Sequence, residues 1–120
     1  MVEPIIEYVQ EVVAGGVDLV IQALARPWAG PSVAVDMISV SNADHSGGYV
    51  EVGLLQGSRR FAVATLGPIS AGRYASLGGP IYLGYPYVVY ARFIYADGSA
   101  SPACIDGDHC SLAVMAHTVE

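Results

Sequence analysis

Hydrophobic and polar residues alternate along most of this chain, in short segments that end at glycine, proline or asparagine. In the run that starts at Ser32, apolar residues at 33, 35 and 37 alternate with Ala34 and Asp36 until the turn-rich stretch 42–48. A period of two residues is typical of β-strands. The pattern predicts strands from Ser32 to this turn and over Tyr49–Gln56, Phe61–Leu66, Arg73–Leu77, Ile81–Leu83, Tyr87–Ala96 and Ser111–Val119.

The N-terminal segment allows two interpretations. Glu7, Glu11, Asp18 and Gln22 would share one face of a helix, with valine and isoleucine on the other. The Gly15-Gly16 pair and the many β-branched residues disfavour a helix. We therefore favour a hairpin of residues 5–13 and 17–24 that turns at residues 14–16, and the helix remains the alternative.

The spacing of the breaks, roughly 8 to 12 residues, is typical of β-sandwiches and jelly rolls. We predict an all-β fold, an antiparallel β-sandwich that is jelly-roll-like. A length of 120 residues fits one domain over residues 1–120. Residues 1–13 are expected to serve as a docking arm or an edge strand.

Charged residues are scarce. They make up 13% of the chain, about half the usual fraction of roughly 25%, whereas hydrophobic residues make up 53% and the mean hydropathy is +0.47. Large apolar surfaces on small proteins mark interaction sites. The strand Tyr87–Ala96 is apolar on both faces, so it is either central and covered, part of a subunit contact, or a tyrosine-rich solvent face. The composition favours a homo-oligomer.

The charge balance and hydropathy exclude two classes of partner. The net charge is −6, the five basic residues are all arginine, and the only adjacent pair, Arg59-Arg60, lies in a predicted hairpin turn. Nucleic-acid binding needs clustered positive charge. No apolar run approaches the roughly 18 residues of a membrane span, and no secretory leader is evident. We expect neither nucleic acid nor membrane as a partner.

Two cysteines and a few acids are the candidates for chemistry. Cys104 and Cys110 flank an acidic turn and form either a disulfide or two free thiols. Their spacing does not fit common zinc sites, so we predict no metal and no cofactor. The three histidines and many serines lack a nucleophile signature. Asp36 and Glu51, on strands predicted to be adjacent, are only a weak acid pair. We predict no catalytic residue and no enzyme.

Aromatic residues give the clearest binding signal. Tyrosine and tryptophan are enriched at protein interfaces because each has a large apolar body and a polar group. They also stack on sugars, and a buried aromatic cluster is the third alternative. The predicted partner-contact residues are Trp28, Tyr85, Tyr87 and Tyr90, together with Ile5 and Tyr8 of the N-terminal segment.

The stretch Ser32–Gly98 contains the segments SVAVDMISVSN, GGYVEVGLLQGSRRFAVATLGPISAG and GGPIYLGYPYVVYARFIYADG. In strands, turns and size it resembles small β-sandwich accessory proteins of tailed bacteriophages. The resemblance implies a non-enzymatic virion subunit, assembled in the host cytoplasm, that docks on a major capsid or tail protein. A capsid decoration or cement protein that stabilises the shell is the leading expectation. A tail or baseplate component, or a glycan- or receptor-binding module, is the alternative.

Overall fold

The fold consists of β-strands throughout the part of the chain that the structure describes. That part comprises residues 3–24, 32–84, 87–95 and 102–119 of a computed structural model. The eight strands are β1 (Pro4–Val12), β2 (Leu19–Ala23), β3 (Val33–Asn42), β4 (Val50–Gln56), β5 (Arg59–Leu66), β6 (Ala75–Leu83), β7 (Val88–Phe93) and β8 (His109–Thr118). The prediction of an all-β fold is confirmed.

The strands form two antiparallel sheets of four. The first sheet has the order β1-β8-β3-β6 and the second has the order β2-β7-β4-β5. The pairs β1 with β8, β2 with β7, β3 with β6 and β4 with β5 are nested, and successive pairs alternate between the two sheets. The chain is therefore a long hairpin folded over on itself. Its tip is the turn at Gly57 and Ser58, where Gly57 supplies the positive φ of 60°.

The hydrophobic core lies between the sheets and follows from the alternation in the sequence. In β8, the even-numbered residues from Cys110 to Thr118 are buried, because successive side chains of a strand point to opposite faces. The other strands contribute in the same way. Fully buried side chains that line the interface include Ile38, Val40, Val52, Val89, Phe93, Leu112 and Val114.

The predicted N-terminal hairpin is wrong in its pairing, although both of its strands exist. Gly15 and Gly16, with φ of 85° and 66°, do not return β1 alongside β2. They carry the chain across to the second sheet, so β1 pairs with β8 and β2 with β7. The carboxylate of Glu7 accepts a hydrogen bond from the backbone N–H of Leu24, which links β1 to the end of β2.

Two further strand predictions need correction. Most residues of the two predicted strands, 73–77 and 81–83, belong to the single strand β6, which begins at Ala75 and runs through Gly78-Gly79-Pro80. Proline is tolerated there because β6 is the last strand of its sheet. The strand predicted over residues 87–96 is the shorter β7, and it lies between β2 and β4. Its apolar character on both faces matches this central place.

Candidate functional site

The outer face of the first sheet is the most distinctive surface of the described residues. Directly paired residues share a face of a sheet. The strand register therefore identifies which residues of each strand point outward. We call this surface the uncharged face, and its members are Ile6, Tyr8, Gln10, Met37, Ser39, Ser76, Gly78, Tyr82, Ala113 and Met115. None of these side chains is charged at neutral pH, and the same outer face continues through Ser41 and Ser111 at one end and Pro4, Ala34 and His117 at the other.

Large apolar side chains protrude from the uncharged face. Ile6 is 74% exposed, Tyr82 67%, Tyr8 53% and Met115 42%. Between them lie small residues, and the hydroxyls of Ser39 and Ser76 bond to each other at 2.7 Å. A surface of projecting aromatic and aliphatic groups over a floor of serine, alanine and glycine offers contact area with few polar groups to desolvate.

An aspartate–histidine pair lies at each end of the uncharged face. At one end His117 Nδ1 lies 2.8 Å from Asp36 Oδ2, and at the other His109 Nδ1 lies 3.0 Å from Asp44 Oδ2. The backbone N–H of His109 also donates to Asp44, and this bond, followed by the His109 side chain, lowers the pKa of the Asp44 carboxyl. The charged groups therefore lie in the end rows of the face, and the Asp36–His117 pair shares its row with Tyr82, because Ala34 is paired with both His117 and Tyr82.

The outer face of the second sheet is chemically different, because it carries charges that are paired among themselves. Arg92 Nε donates to Asp18 Oδ2 at 2.9 Å. The backbone N–H of Tyr95 donates to the same carboxylate, and together with Arg92 it lowers the pKa of Asp18 against the opposing effect of burial. The Tyr90 hydroxyl donates to Glu51 at 2.7 Å, and Arg60 Nε lies 3.3 Å from the same carboxylate.

A buried polar cluster joins β3 to the loop before β8. The Asn42 side chain is fully buried and donates to the Ala103 carbonyl at 3.0 Å and to Asp108 Oδ2 at 2.9 Å. Its own oxygen accepts hydrogen bonds from the backbone N–H groups of Asp44 and His45. The buried Asp108 carboxylate also accepts from the N–H of Ile105. This cluster fixes the loop that bears Asp44 next to the start of β8, where His109 lies.

Both cysteines are free thiols in the structure and belong to the core. Burial raises the pKa of the Cys104 thiol to about 11 and that of Cys110 to about 12, so both are protonated at neutral pH. Within the described residues, no group of three or more histidine, cysteine, aspartate or glutamate side chains could hold a metal ion.

The predicted contact residues that the structure describes do not share one surface. Tyr8 is exposed on the uncharged face, with its hydroxyl donating to Gln10 at 3.0 Å. Ile5 is half-buried and packs against the core, Tyr90 is fully buried, and Tyr87 packs edge-to-face on Phe61 with ring centroids 6.0 Å apart. Burial leaves Tyr90 unavailable for partner contact. Trp28 and Tyr85 lie outside the described residues.

The acid pair considered from the sequence does not exist. Asp36 is on β3 in the first sheet and Glu51 on β4 in the second, so the two are not on adjacent strands. Sequence reasoning also missed Ile6 and Met115, and it noted Tyr82 only as part of the tyrosine-rich region 82–95 without predicting it as a contact residue. Their alternation with inward-facing neighbours was visible in the pattern, but it does not reveal that β1, β6 and β8 share a sheet.

Comparison with protein-family models, with curated proteins and with solved structures finds no match to this chain. Among the described residues, no helix is long and apolar enough to cross a membrane.

Proposed function

We propose that this protein is a non-enzymatic structural subunit that joins a larger assembly through its uncharged face. The observation that supports the proposal most directly is the exposure of Ile6, Tyr8, Tyr82 and Met115 on one sheet face. The second sheet also exposes Val20, Phe61 and Val63, but its outer face carries the ion pairs Arg92–Asp18 and Arg60–Glu51.

The dimensions of the face suit a protein partner. Four strands spaced by about 4.8 Å and nine or ten residues long span roughly 19 Å by 30 Å. This is comparable in scale with the roughly 800 Å² that each partner of a standard interface buries. The absence of charge from its centre calls for a partner surface that is also apolar and uncharged, because a charge buried there would lack a counter-ion.

The specific form of the proposal is a virion protein with a jelly-roll fold, acting as a capsid decoration or cement subunit. The nested strand pairs and the orders β1-β8-β3-β6 and β2-β7-β4-β5 are consistent with two interlocked Greek keys. Jelly rolls occur in viral capsid proteins and in lectins, so the fold supports the capsid role by analogy. The resemblance of residues 32–98 to phage accessory proteins favours the capsid role, with the major capsid protein as partner and the virion as location.

Sedimentation of native extracts tests the proposal. The chain should migrate with particles far heavier than its own 12.5 kDa. Tyr82→Lys or Met115→Lys should weaken its association with those particles by about 30-fold, the effect of losing an interface contact worth about 2 kcal/mol. Val20→Lys is the matched control, since Val20 is as exposed as Met115 but lies on the second sheet.

Two results would contradict the proposal. One is a chain that stays monomeric in native extract and never migrates with particles. The other is equal loss of association in the Val20 and Tyr82 variants. A glycan array distinguishes the competing lectin-like role, because exposed tyrosines such as Tyr8 and Tyr82 can stack on sugar rings. Reproducible sugar binding that Tyr82→Ala abolishes would replace the structural role with that one.

A further inference from the structure

The outer edge of β1 differs from the other three sheet edges. Outer strands usually carry features that prevent pairing with another chain. The strand β2 has only five residues, β5 begins with Arg59-Arg60 and has a register shift against β4, and β6 contains Gly78-Gly79-Pro80. By contrast, β1 has nine residues in unbroken register with β8, and its only proline is the first residue.

Two hydrogen bonds establish which backbone groups of β1 face the open edge. The N–H of Thr118 donates to the carbonyl of Glu3 at 2.9 Å, and the N–H of Val13 donates to the carbonyl of Asp108 at 2.9 Å. Odd-numbered residues at both ends of β1 therefore bond toward β8. Because bonding direction alternates along an antiparallel strand, the even-numbered residues present their backbone groups to the open edge. These are Ile6, Tyr8, Gln10 and Val12, together with the carbonyl of Pro4.

We infer that this edge pairs with β1 of a second copy of the chain, antiparallel about a twofold axis at Tyr8, so that two first sheets become one sheet of eight strands. In this register all nine residues overlap. Tyr8 lies opposite Tyr8 of the second copy, and Ile6 lies opposite Gln10. Every edge-facing group then meets an edge-facing group, which gives about eight hydrogen bonds between the chains.

The glutamates select this register over its neighbours. With the axis at Tyr8, Glu7 lies opposite Val9 of the second copy and Glu11 lies opposite Ile5. An axis at Glu7 would place Glu7 opposite Glu7 of the second copy, and an axis at Val9 would place Glu7 opposite Glu11. Both registers are disfavoured, because like charges directly opposite each other are destabilising. An axis at Ile6 or Gln10 avoids this clash but keeps only about five of the nine residues paired.

The charge of Glu7 does not prevent pairing, although inward-pointing charges can protect sheet edges. Its carboxylate is directed toward the second sheet, where it accepts the hydrogen bond from Leu24. The Tyr8 pair adds an aromatic contact across the axis, of the kind that stabilises neighbouring strands. The dimer would join two uncharged faces into one continuous surface. Its role as a docking surface rests on the proposed function.

Cysteine cross-linking tests both the dimer and its register. Paired residues that exchange hydrogen bonds have Cα atoms about 5.5 Å apart, within the range of a disulfide. Under diamide, Tyr8→Cys should form a covalent dimer. Ile6→Cys alone should not, whereas the double variant Ile6→Cys/Gln10→Cys should. Wild type, with Cys104 and Cys110 buried, and Val20→Cys on the second sheet are the controls.

Sedimentation equilibrium provides the non-covalent measurement. Wild type should dimerise with rising concentration, and Tyr8→Lys, which brings two ammonium groups together at the axis, should weaken the dimer at least tenfold while circular dichroism stays unchanged. Cross-linking of Ile6→Cys alone, absence of cross-linking in Tyr8→Cys, or an unchanged dimer in Tyr8→Lys would overturn the inference. Tyr82→Lys should leave the dimer intact, so failure of particle docking and failure of the dimer are distinguishable.

Discussion

Replacing Asn42 with alanine removes the centre of the buried polar cluster. The change leaves the buried carbonyl of Ala103 and the buried carboxylate of Asp108 each without one donor. A buried group deprived of its partner costs about 1–3 kcal/mol, so the two losses together should lower the free energy of unfolding by about 4 kcal/mol. That is a large part of the roughly 5–15 kcal/mol typical of a whole protein.

Urea denaturation followed by circular dichroism measures this loss, and thermal unfolding should show a midpoint lowered by about 15 °C. Gln22→Ala is the control, because Gln22 carries an exposed amide and its removal should change stability by less than about 0.5 kcal/mol. A loss below about 1 kcal/mol for Asn42→Ala would refute the reasoning, since it would mean that water or another group replaces the amide.

Asn42→Asp provides a second measurement that keeps the shape of the side chain. The new carboxylate still accepts from the N–H groups of Asp44 and His45, but it faces the carboxylate of Asp108 at hydrogen-bond distance. Two carboxylates so close cannot both stay ionised without a large cost. The variant should therefore be destabilised at neutral pH and approach wild-type stability in acid, where one proton bridges the pair. Equal destabilisation at both pH values would contradict this account.

Other regions of the fold give three independent tests. The lowered pKa of Asp18 means that its stabilising contribution is present above the ordinary aspartate pKa and is lost as the pH falls through the lowered pKa of the folded protein. Asp18→Asn should therefore flatten the acid limb of the stability curve, and parallel curves for variant and wild type would contradict this. Cys104 and Cys110 should resist a thiol reagent in the native protein and react fully in denaturant without reductant, whereas no reaction in denaturant would reveal a disulfide. Gly79→Ala should lower the free energy of unfolding by about 2 kcal/mol, because its Cβ would lie 2.1 Å from the backbone carbonyl oxygen of Val35. Gly78→Ala is the control, since its Cβ would lie in open space and the change should stay within about 0.5 kcal/mol. Similar losses in the two variants would argue against the close approach at Gly79.

Most strands could be predicted from the sequence, because alternation reports directly on a half-buried strand. The pairing partner of each strand could not be predicted. A pattern of period two specifies which side chains face the core, but it does not specify which strand lies alongside. The segment 5–24 shows the difference: both strands were predicted, but they belong to different sheets. The Gly78-Gly79-Pro80 stretch was misinterpreted as a break, because the close approach of Gly79 to Val35 is visible only in three dimensions.

The candidate site was harder to predict for the same reason. Five tyrosines lie between residues 82 and 95, and three of them, Tyr85, Tyr87 and Tyr90, are predicted from the sequence as contact residues. In the structure Tyr82 projects from the first sheet, whereas Tyr90 is buried in the second. The contrast between one uncharged and one charge-paired sheet depends on strand order, which composition does not contain. Scarce charge indicated that some surface was apolar, and only the topology indicated which one.

The nesting of strand pairs has a consequence for how the chain folds during synthesis. The strand β1 is made first, but its partner β8 follows about 100 residues later, a delay of roughly 5–20 s at ribosomal rates of 5–20 residues per second. Throughout that interval an isoleucine- and valine-rich strand has no native neighbour in its sheet. Glu3, Glu7 and Glu11, one every four residues, keep negative charge along it, and such charges act as gatekeepers that hinder aggregation of nascent chains. The acidic residues that determine the register of the dimer would thus also protect the unfinished protein.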